Sequence, residues 1–131
     1  MAEEYVPGVC NIGPAETARR RRFGERAALA AGLLLLVLQV IRAPRAWRLL
    51  VFFPAAGSAV GYLQAARHFC AAYGWRGVWN FGALGSTTAV EEAAARAEDR
   101  RQARQIAGQA GAIGLGVALL AALTGRRCPG R

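Results

Sequence analysis

Three uncharged, mostly apolar stretches dominate the hydrophobic pattern of this chain, at residues 27–41, 49–66 and 106–125. An α-helix rises about 1.5 Å per residue and the hydrocarbon core of a bilayer is about 30 Å thick, so a spanning helix needs about 20 residues. The third stretch has that length, the second nearly has it, and the first needs its neighbours. The pattern therefore predicts an all-α integral membrane protein with three transmembrane helices.

The segments before the first and third stretches are polar but helical in pattern. Pro14 is typical of a first helical position, with Asn11 as a candidate cap, and the basic residues that follow predict an interfacial helix leading into the first span. Thr88 and Glu91 have capping-box spacing and are expected to open a second polar helix. No helix breaker separates that helix from the third span, so we expect one helix of about 36 residues, or about 54 Å, that projects from the membrane.

The spans also carry signals for bending and packing. Pro54 follows two phenylalanines inside the second span and is expected to kink it. Small residues let helix backbones approach closely, either within one chain or between two copies. The candidate packing residues are Gly57 and Gly61 in the second span and Gly108, Gly111 and Gly114 in the third. We divide the chain into a hairpin unit, residues 1–85, and a charged helix with the third span, residues 86–131.

Charge agrees with a membrane location. Hydrophobic residues make up 54% of the chain and charged residues 19%, yet the net charge is +9. Most arginines lie beside or between the spans, where anionic headgroups attract them, so lipid rather than nucleic acid is the expected partner. The candidate headgroup contacts before the first span are Arg19, Arg20, Arg21, Arg22 and Arg26. Eleven arginines on one side of the spans against six on the other predict a cytoplasmic N-terminus and an external C-terminus. All seventeen basic residues are arginine, whose codons are GC-rich, so we expect the membrane to be a bacterial inner membrane.

Three residues carry the candidate chemistry, namely Cys10, His68 and Cys70. A two-span hairpin would return His68 and Cys70 to the membrane face that holds Cys10. Two thiols and an imidazole suit thiol redox or sulfur handling, or ligation of Zn²⁺ or Cu(I). The alternative is that the cysteines are small packing residues and the histidine is an interfacial hydrogen-bonding group. Cys128 lies in the tail, on the opposite predicted face.

Catalytic patterns are otherwise missing from the sequence. The chain has one histidine and one aspartate, Asp99, and contains no phosphate-binding glycine loop or nucleophile–base–acid set. No ionisable residue lies inside an apolar stretch, which argues against a proton relay or an ion pathway. We therefore expect no enzymatic activity and no cofactor. Gln39 and Gln109 are the amides well within the apolar stretches, and interhelical hydrogen bonding is their simplest use.

Short motifs are distributed through the first part of the chain. They comprise an N-x-G entry, an acidic residue and an arginine on the first helix, an F-C-x-x-Y motif and a Gly-x-x-Asn end, at Asn11, Gly13, Glu16, Arg19, Phe69, Cys70, Tyr73, Gly77 and Asn80. In these motifs residues 11–80 resemble the small inner-membrane hairpin that is appended to some rhodanese-type sulfurtransferases and also occurs alone. The resemblance covers about half of the chain, to which the charged helix and third span are additions.

Two functions are expected from these observations. The first is a non-enzymatic membrane protein that acts by helix packing, as an accessory subunit of a larger membrane complex or as a homo-oligomer. The alternative is a thiol-based sulfur or metal carrier at the membrane that uses Cys10, Cys70 and His68.

Overall fold

The structure, a computed structural model, describes residues 4–124 and is mostly helical. Its elements are α1 (Pro14–Val40), a 3₁₀ helix (Arg45–Val51), α2 (Phe52–Arg67), α3 (Ala71–Arg76), β1 (Val78–Trp79), β2 (Thr88–Ala89) and α4 (Ala93–Leu123). Three helical segments are long and apolar enough to cross a membrane: Pro14–Val40, Arg45–Arg67 and Ala93–Leu123. This confirms the predicted all-α, three-span architecture.

The first helix begins at Pro14, as predicted, and runs without a break to Val40. The basic residues and the first span therefore form one continuous helix, with the basic part as its first turns. Asn11 is not its cap, because Gly13 occupies that position. The helix is followed by Arg42, whose φ of 54° is left-handed, and by Pro44, which cannot continue a helix.

The second span has two parts. Its first seven residues form the 3₁₀ helix, and α2 then begins at Phe52. Pro54 therefore lies in the first turn of α2, where backbone N–H groups lack intrahelical partners in any case. The kink expected at Pro54 stays a prediction. At the other end, α2 stops at His68, which takes a left-handed conformation with φ of 51°.

The third long helix begins later than predicted. Thr88 pairs with Trp79 in the antiparallel β1–β2 ladder, and Glu92 is the N-cap of α4. The capping box expected at Thr88 and Glu91 is therefore not formed, because this stretch is extended. The prediction that the charged helix continues into the third span is confirmed by one 31-residue helix, about 46 Å long.

Helix α2 packs against both α1 and α4. At the first contact, a Cβ added to Gly61 would lie 2.6 Å from the Cα of Gly24, so the two backbones meet directly. At the second, a Cβ on Gly114 would lie 2.7 Å from that of Ala56. Large apolar side chains meanwhile stay exposed on the long helices, including Leu33 and Leu123. Exposure of leucine along a spanning helix is the pattern expected of a lipid-facing surface.

Candidate functional site

The segment before α1 folds back onto the end of the hairpin. Asn11 donates its side-chain amide to the carbonyl of Cys70 at 3.1 Å and accepts from the Cys70 N–H at 2.7 Å. The Asn80 N–H donates to the Asn11 carbonyl, and the Gly13 N–H donates to the Asn80 carbonyl, both at 2.9 Å. Asn11 and Asn80 are buried. These paired bonds fix residues 11–13 against Cys70, which sequence spacing alone left undetermined.

A fully buried carboxylate, Glu16, joins the first turn of α1 to two later segments. It accepts hydrogen bonds from the Tyr73 hydroxyl at 3.3 Å and from the Gly85 N–H at 3.2 Å. The Arg20 guanidinium, one turn further along α1, lies 3.0 Å from the same carboxylate. A buried charge is tolerated only when it is paired and hydrogen-bonded, and Glu16 meets both conditions.

Arg20 links this ion pair to the thiol of Cys70. Its Nη2 lies 3.1 Å from the Cys70 Sγ, and its guanidinium lies over the Tyr73 ring at 5.5 Å from the centroid. Cys70 is only 1% exposed. The guanidinium gives the sulfur a positively charged hydrogen-bond partner, while burial limits its access to reagents. We name Asn11, Glu16, Arg20, Cys70 and Tyr73 the thiol cluster.

The other two candidate residues, Cys10 and His68, have hydrogen-bond partners outside the thiol cluster. Cys10 is buried and its thiol donates to the Glu4 carbonyl at 3.2 Å. His68 is exposed and its Nδ1 lies 3.2 Å from the Thr17 hydroxyl. Among residues 4–124, no group of three or more His, Cys, Asp or Glu side chains could hold a metal ion. The structure thus gives Cys10, His68 and Cys70 separate partners, while Cys128 lies outside the described residues.

The arginines before the first span divide into two kinds. Arg20 faces inward, and its side chain is 14% exposed. Arg19 is 57% exposed and lies 4.0 Å from Glu16. Arg21, Arg22 and Arg26 are also exposed. Sequence reasoning placed Arg19 in the motif and grouped Arg20 with the headgroup contacts, although the i,i+4 spacing from Glu16 favours Arg20 as the ion-pair partner.

The second buried carboxylate is Asp99 on α4, which the sequence analysis named without assigning it a structural role. It is fully buried and accepts from the Tyr5 hydroxyl at 2.6 Å and from the Gly8 N–H at 2.8 Å. Tyr5 also stacks on Trp79, with ring centroids 6.1 Å apart. Burial, followed by the hydrogen bond to Asp99 and its charge, raises the pKa of Tyr5 well above its usual value. Residues 5–8 are therefore tied to the polar part of α4.

The candidate packing glycines and span amides have different environments. Gly61 and Gly114 lie in the helix contacts described above, and a Cβ added to Gly57 would lie 3.7 Å from that of Ala27, an ordinary van der Waals distance. A Cβ added to Gly108 or Gly111 would meet nothing within 4 Å. Of the span amides, Gln109 accepts an interhelical hydrogen bond from Arg67.

Comparison with known proteins gives no match to a family model, to a curated protein or to a solved structure.

Proposed function

We propose that the protein is a non-enzymatic integral membrane protein that acts by helix packing, as an accessory subunit of a larger membrane complex or as a homo-oligomer. The observation that carries this proposal is an open small-residue face on α4. A Cβ added to Gly108, Gly111 or Gly116 would meet no atom within 4 Å. We propose that the chain is a multi-pass protein of the bacterial inner membrane. Its N-terminus would lie in the cytoplasm, because more arginines flank the spans on that side.

The open glycines are not required by the packing of this chain. Helix α4 buries a different set of positions against α2 and its neighbours, including Ile106, Ala110 and Gly114. Glycine inside a helix costs about 1 kcal/mol relative to alanine. Close approach of another helix backbone offsets that cost, because association in lipid depends on van der Waals packing of small residues. The open face therefore fits a further transmembrane helix.

Oligomeric state tests this proposal. We expect the protein, purified in mild detergent, to run in native mass measurement as an oligomer or with a co-purifying membrane subunit. Gly108→Leu should dissociate that assembly, because the larger side chain blocks backbone contact. The matched control is Gly32→Leu on α1, where a Cβ also meets nothing within 4 Å.

Two results would contradict the proposal. One is a parent protein that is monomeric and has no co-purifying partner. The other is an assembly that tolerates Gly108→Leu as well as it tolerates the control.

A second candidate function is a thiol-based sulfur carrier, favoured by the 3.1 Å contact between Arg20 Nη2 and Cys70 Sγ. In such a step the Cys70 thiolate attacks the outer sulfur of a persulfide donor. A new S–S bond forms on Cys70, the donor S–S bond breaks, and the donor leaves as a thiolate. Four residues of the motifs that resemble the sulfurtransferase-appended hairpin, Asn11, Glu16, Cys70 and Tyr73, meet in the thiol cluster. The metal version of this candidate has no ligand cluster within residues 4–124 to support it.

Thiol reactivity separates the two candidates. With Cys128 replaced by serine, a carrier should have one fast-reacting thiol near neutral pH that Cys70→Ser removes and Cys10→Ser leaves. Of the two cysteines within residues 4–124, Cys70 is the one whose thiol lies beside a guanidinium. It should also accept labelled sulfur from a small persulfide at one equivalent per chain. Slow reaction of both thiols and no labelled sulfur would leave the cysteines as packing residues.

A further inference from the structure

The surface where α3 meets α4 carries an exposed tryptophan with two arginines beside its ring. Trp75, on α3, is 54% exposed. The Arg104 guanidinium lies 5.6 Å from its ring centroid and that of Arg100 lies 5.9 Å away. The two arginines are four residues apart on α4 and therefore adjacent on its surface. We name these three residues the Trp75 clamp.

The arginines of the clamp retain hydrogen-bonding capacity. The ion pairs found within residues 4–124 both involve Glu16, so neither Arg100 nor Arg104 has a carboxylate partner there. By contrast, Arg96 on the same helix donates to two backbone carbonyls. Like charges at i,i+4 destabilise a helix, and an anion bound across both guanidiniums would remove that repulsion.

The depth of the clamp identifies the anion. Arg104 is the last charged residue before the apolar part of α4, two residues or about 3 Å before Ile106, and Arg100 is about 9 Å before it. The headgroup layer is about 5–8 Å thick on each side of the hydrocarbon. Flexible arginine side chains near helix ends extend into this layer, and tryptophan is enriched there. Phosphate is the anion that a membrane supplies at that depth.

We propose that Trp75, Arg100 and Arg104 form a binding site for the phosphate of an anionic phospholipid headgroup. The guanidiniums donate N–H groups to the phosphate oxygens, as planar arginine forks do in other phosphate sites. The indole holds both guanidiniums in place by cation–π contact and lies among the headgroups. The site is separate from the thiol cluster and from the open face of α4.

Lipid retention tests the site. We would add phosphatidylglycerol or phosphatidylcholine to the full-length protein in mild detergent and count bound lipids by native mass spectrometry. We expect preference for the anionic lipid and about fivefold weaker retention in Arg104→Gln, the effect of one arginine at a membrane surface. Trp75→Leu should also weaken retention, because it frees the guanidiniums, whereas Arg104→Lys should keep most of it.

The matched control is Arg101→Gln on the same helix. Arg101 is exposed but borders Gly8 and Glu98 rather than Trp75. Arg101→Gln removes the same charge as Arg104→Gln. If the site is specific, Arg101→Gln should reduce retention of the anionic lipid clearly less than Arg104→Gln does. Equal losses in the two variants, or equal retention of the two lipids, would overturn the site. Displacement of the lipid by millimolar inorganic phosphate would overturn the assignment to a lipid headgroup. Circular dichroism should show unchanged helix content in every variant, since the substituted side chains are exposed.

Discussion

At the scale of single residues, buried polar side chains determine how the irregular segments are placed. Asn11 is fully buried, and its side chain holds both backbone groups of Cys70 in the way a β-ladder partner would. Glu16 and Asp99 are fully buried as well, and each accepts two hydrogen bonds from residues distant in sequence. Because an unsatisfied buried polar group costs about 1–3 kcal/mol, these side chains favour one arrangement of the segments over others.

Gly61 is the residue on which close packing of the hairpin depends. We expect Gly61→Ala to destabilise the protein by about 1–3 kcal/mol, the usual cost of overpacking a tight contact. The added methyl group would lie 2.6 Å from the backbone of Gly24 and 2.8 Å from the Arg20 carbonyl, neither of which is a flexible side chain. Thermal unfolding in detergent, followed by circular dichroism, measures the effect.

Gly32→Ala provides the control for this prediction. It adds the same methyl group to α1 where nothing lies within 4 Å, and alanine favours a helix more than glycine does. The control should therefore be neutral or slightly stabilising. A Gly61→Ala variant as stable as the control would mean that α1 and α2 do not meet at these two glycines.

At the scale of elements, residues 5–8 are held against α4 by the hydrogen bonds of Tyr5 and Gly8 to Asp99, and we name this segment the strap. Burial and Asp99 favour the neutral phenol and raise the pKa of Tyr5 above its ordinary value of 10.0. A raised folded-state pKa means that the strap's contribution is complete below about pH 10 and is lost as the pH rises through the higher folded value. We therefore expect alkaline release of the strap.

Tyrosinate absorbance measures this titration. The difference between the parent and Tyr5→Phe should give one tyrosine that ionises above pH 10, and Tyr5→Phe should lack the matching alkaline loss of thermal stability. The variant removes the hydroxyl that reaches Asp99 but keeps the aromatic ring that stacks on Trp79. If Tyr5 ionised with the ordinary tyrosine pKa of 10.0, the strap would not be docked on α4.

Hydrophobic period and length were sufficient to predict the long helices, because spanning segments need about 20 apolar residues in sequence. Local sequence patterns gave the wrong secondary structure where a segment pairs with a strand elsewhere in the chain. Thr88 has a capping spacing, yet it lies in β2 because its backbone pairs with Trp79. The thiol cluster was predictable only in part. Short motifs indicated Asn11, Glu16 and Cys70, but the role of Arg20 depends on which side of α1 faces α3, which the run of four arginines hides.

At the scale of the whole molecule, polar structure is concentrated at one end of the helices. The thiol cluster, the strap and the two-stranded ladder lie beside the start of α1, the end of α2 and the polar part of α4. At the opposite end, the 3₁₀ helix contacts the last turn of α4, where Arg45 donates to the carbonyls of Ala122 and Leu123. The segments at the first end carry eleven of the seventeen arginines, and these counts predict that it faces the cytoplasm.

Labelling of introduced cysteines tests that orientation. The native Cys10 and Cys70 are buried, so they are poor targets, and they are best replaced by serine together with Cys128. Thr87 is exposed at the polar end, and Ala46 is exposed at the opposite end, in the first turn of the 3₁₀ helix. We expect Ala46→Cys to react with a membrane-impermeant maleimide in intact spheroplasts, and Thr87→Cys to react only after the membrane is opened. Each variant serves as the control for the other, because both sites are exposed and lie at opposite ends of the helices. The reverse pattern would place the thiol cluster and the Trp75 clamp outside the cell. Reaction of both sites in intact spheroplasts would contradict the assignment of three spans.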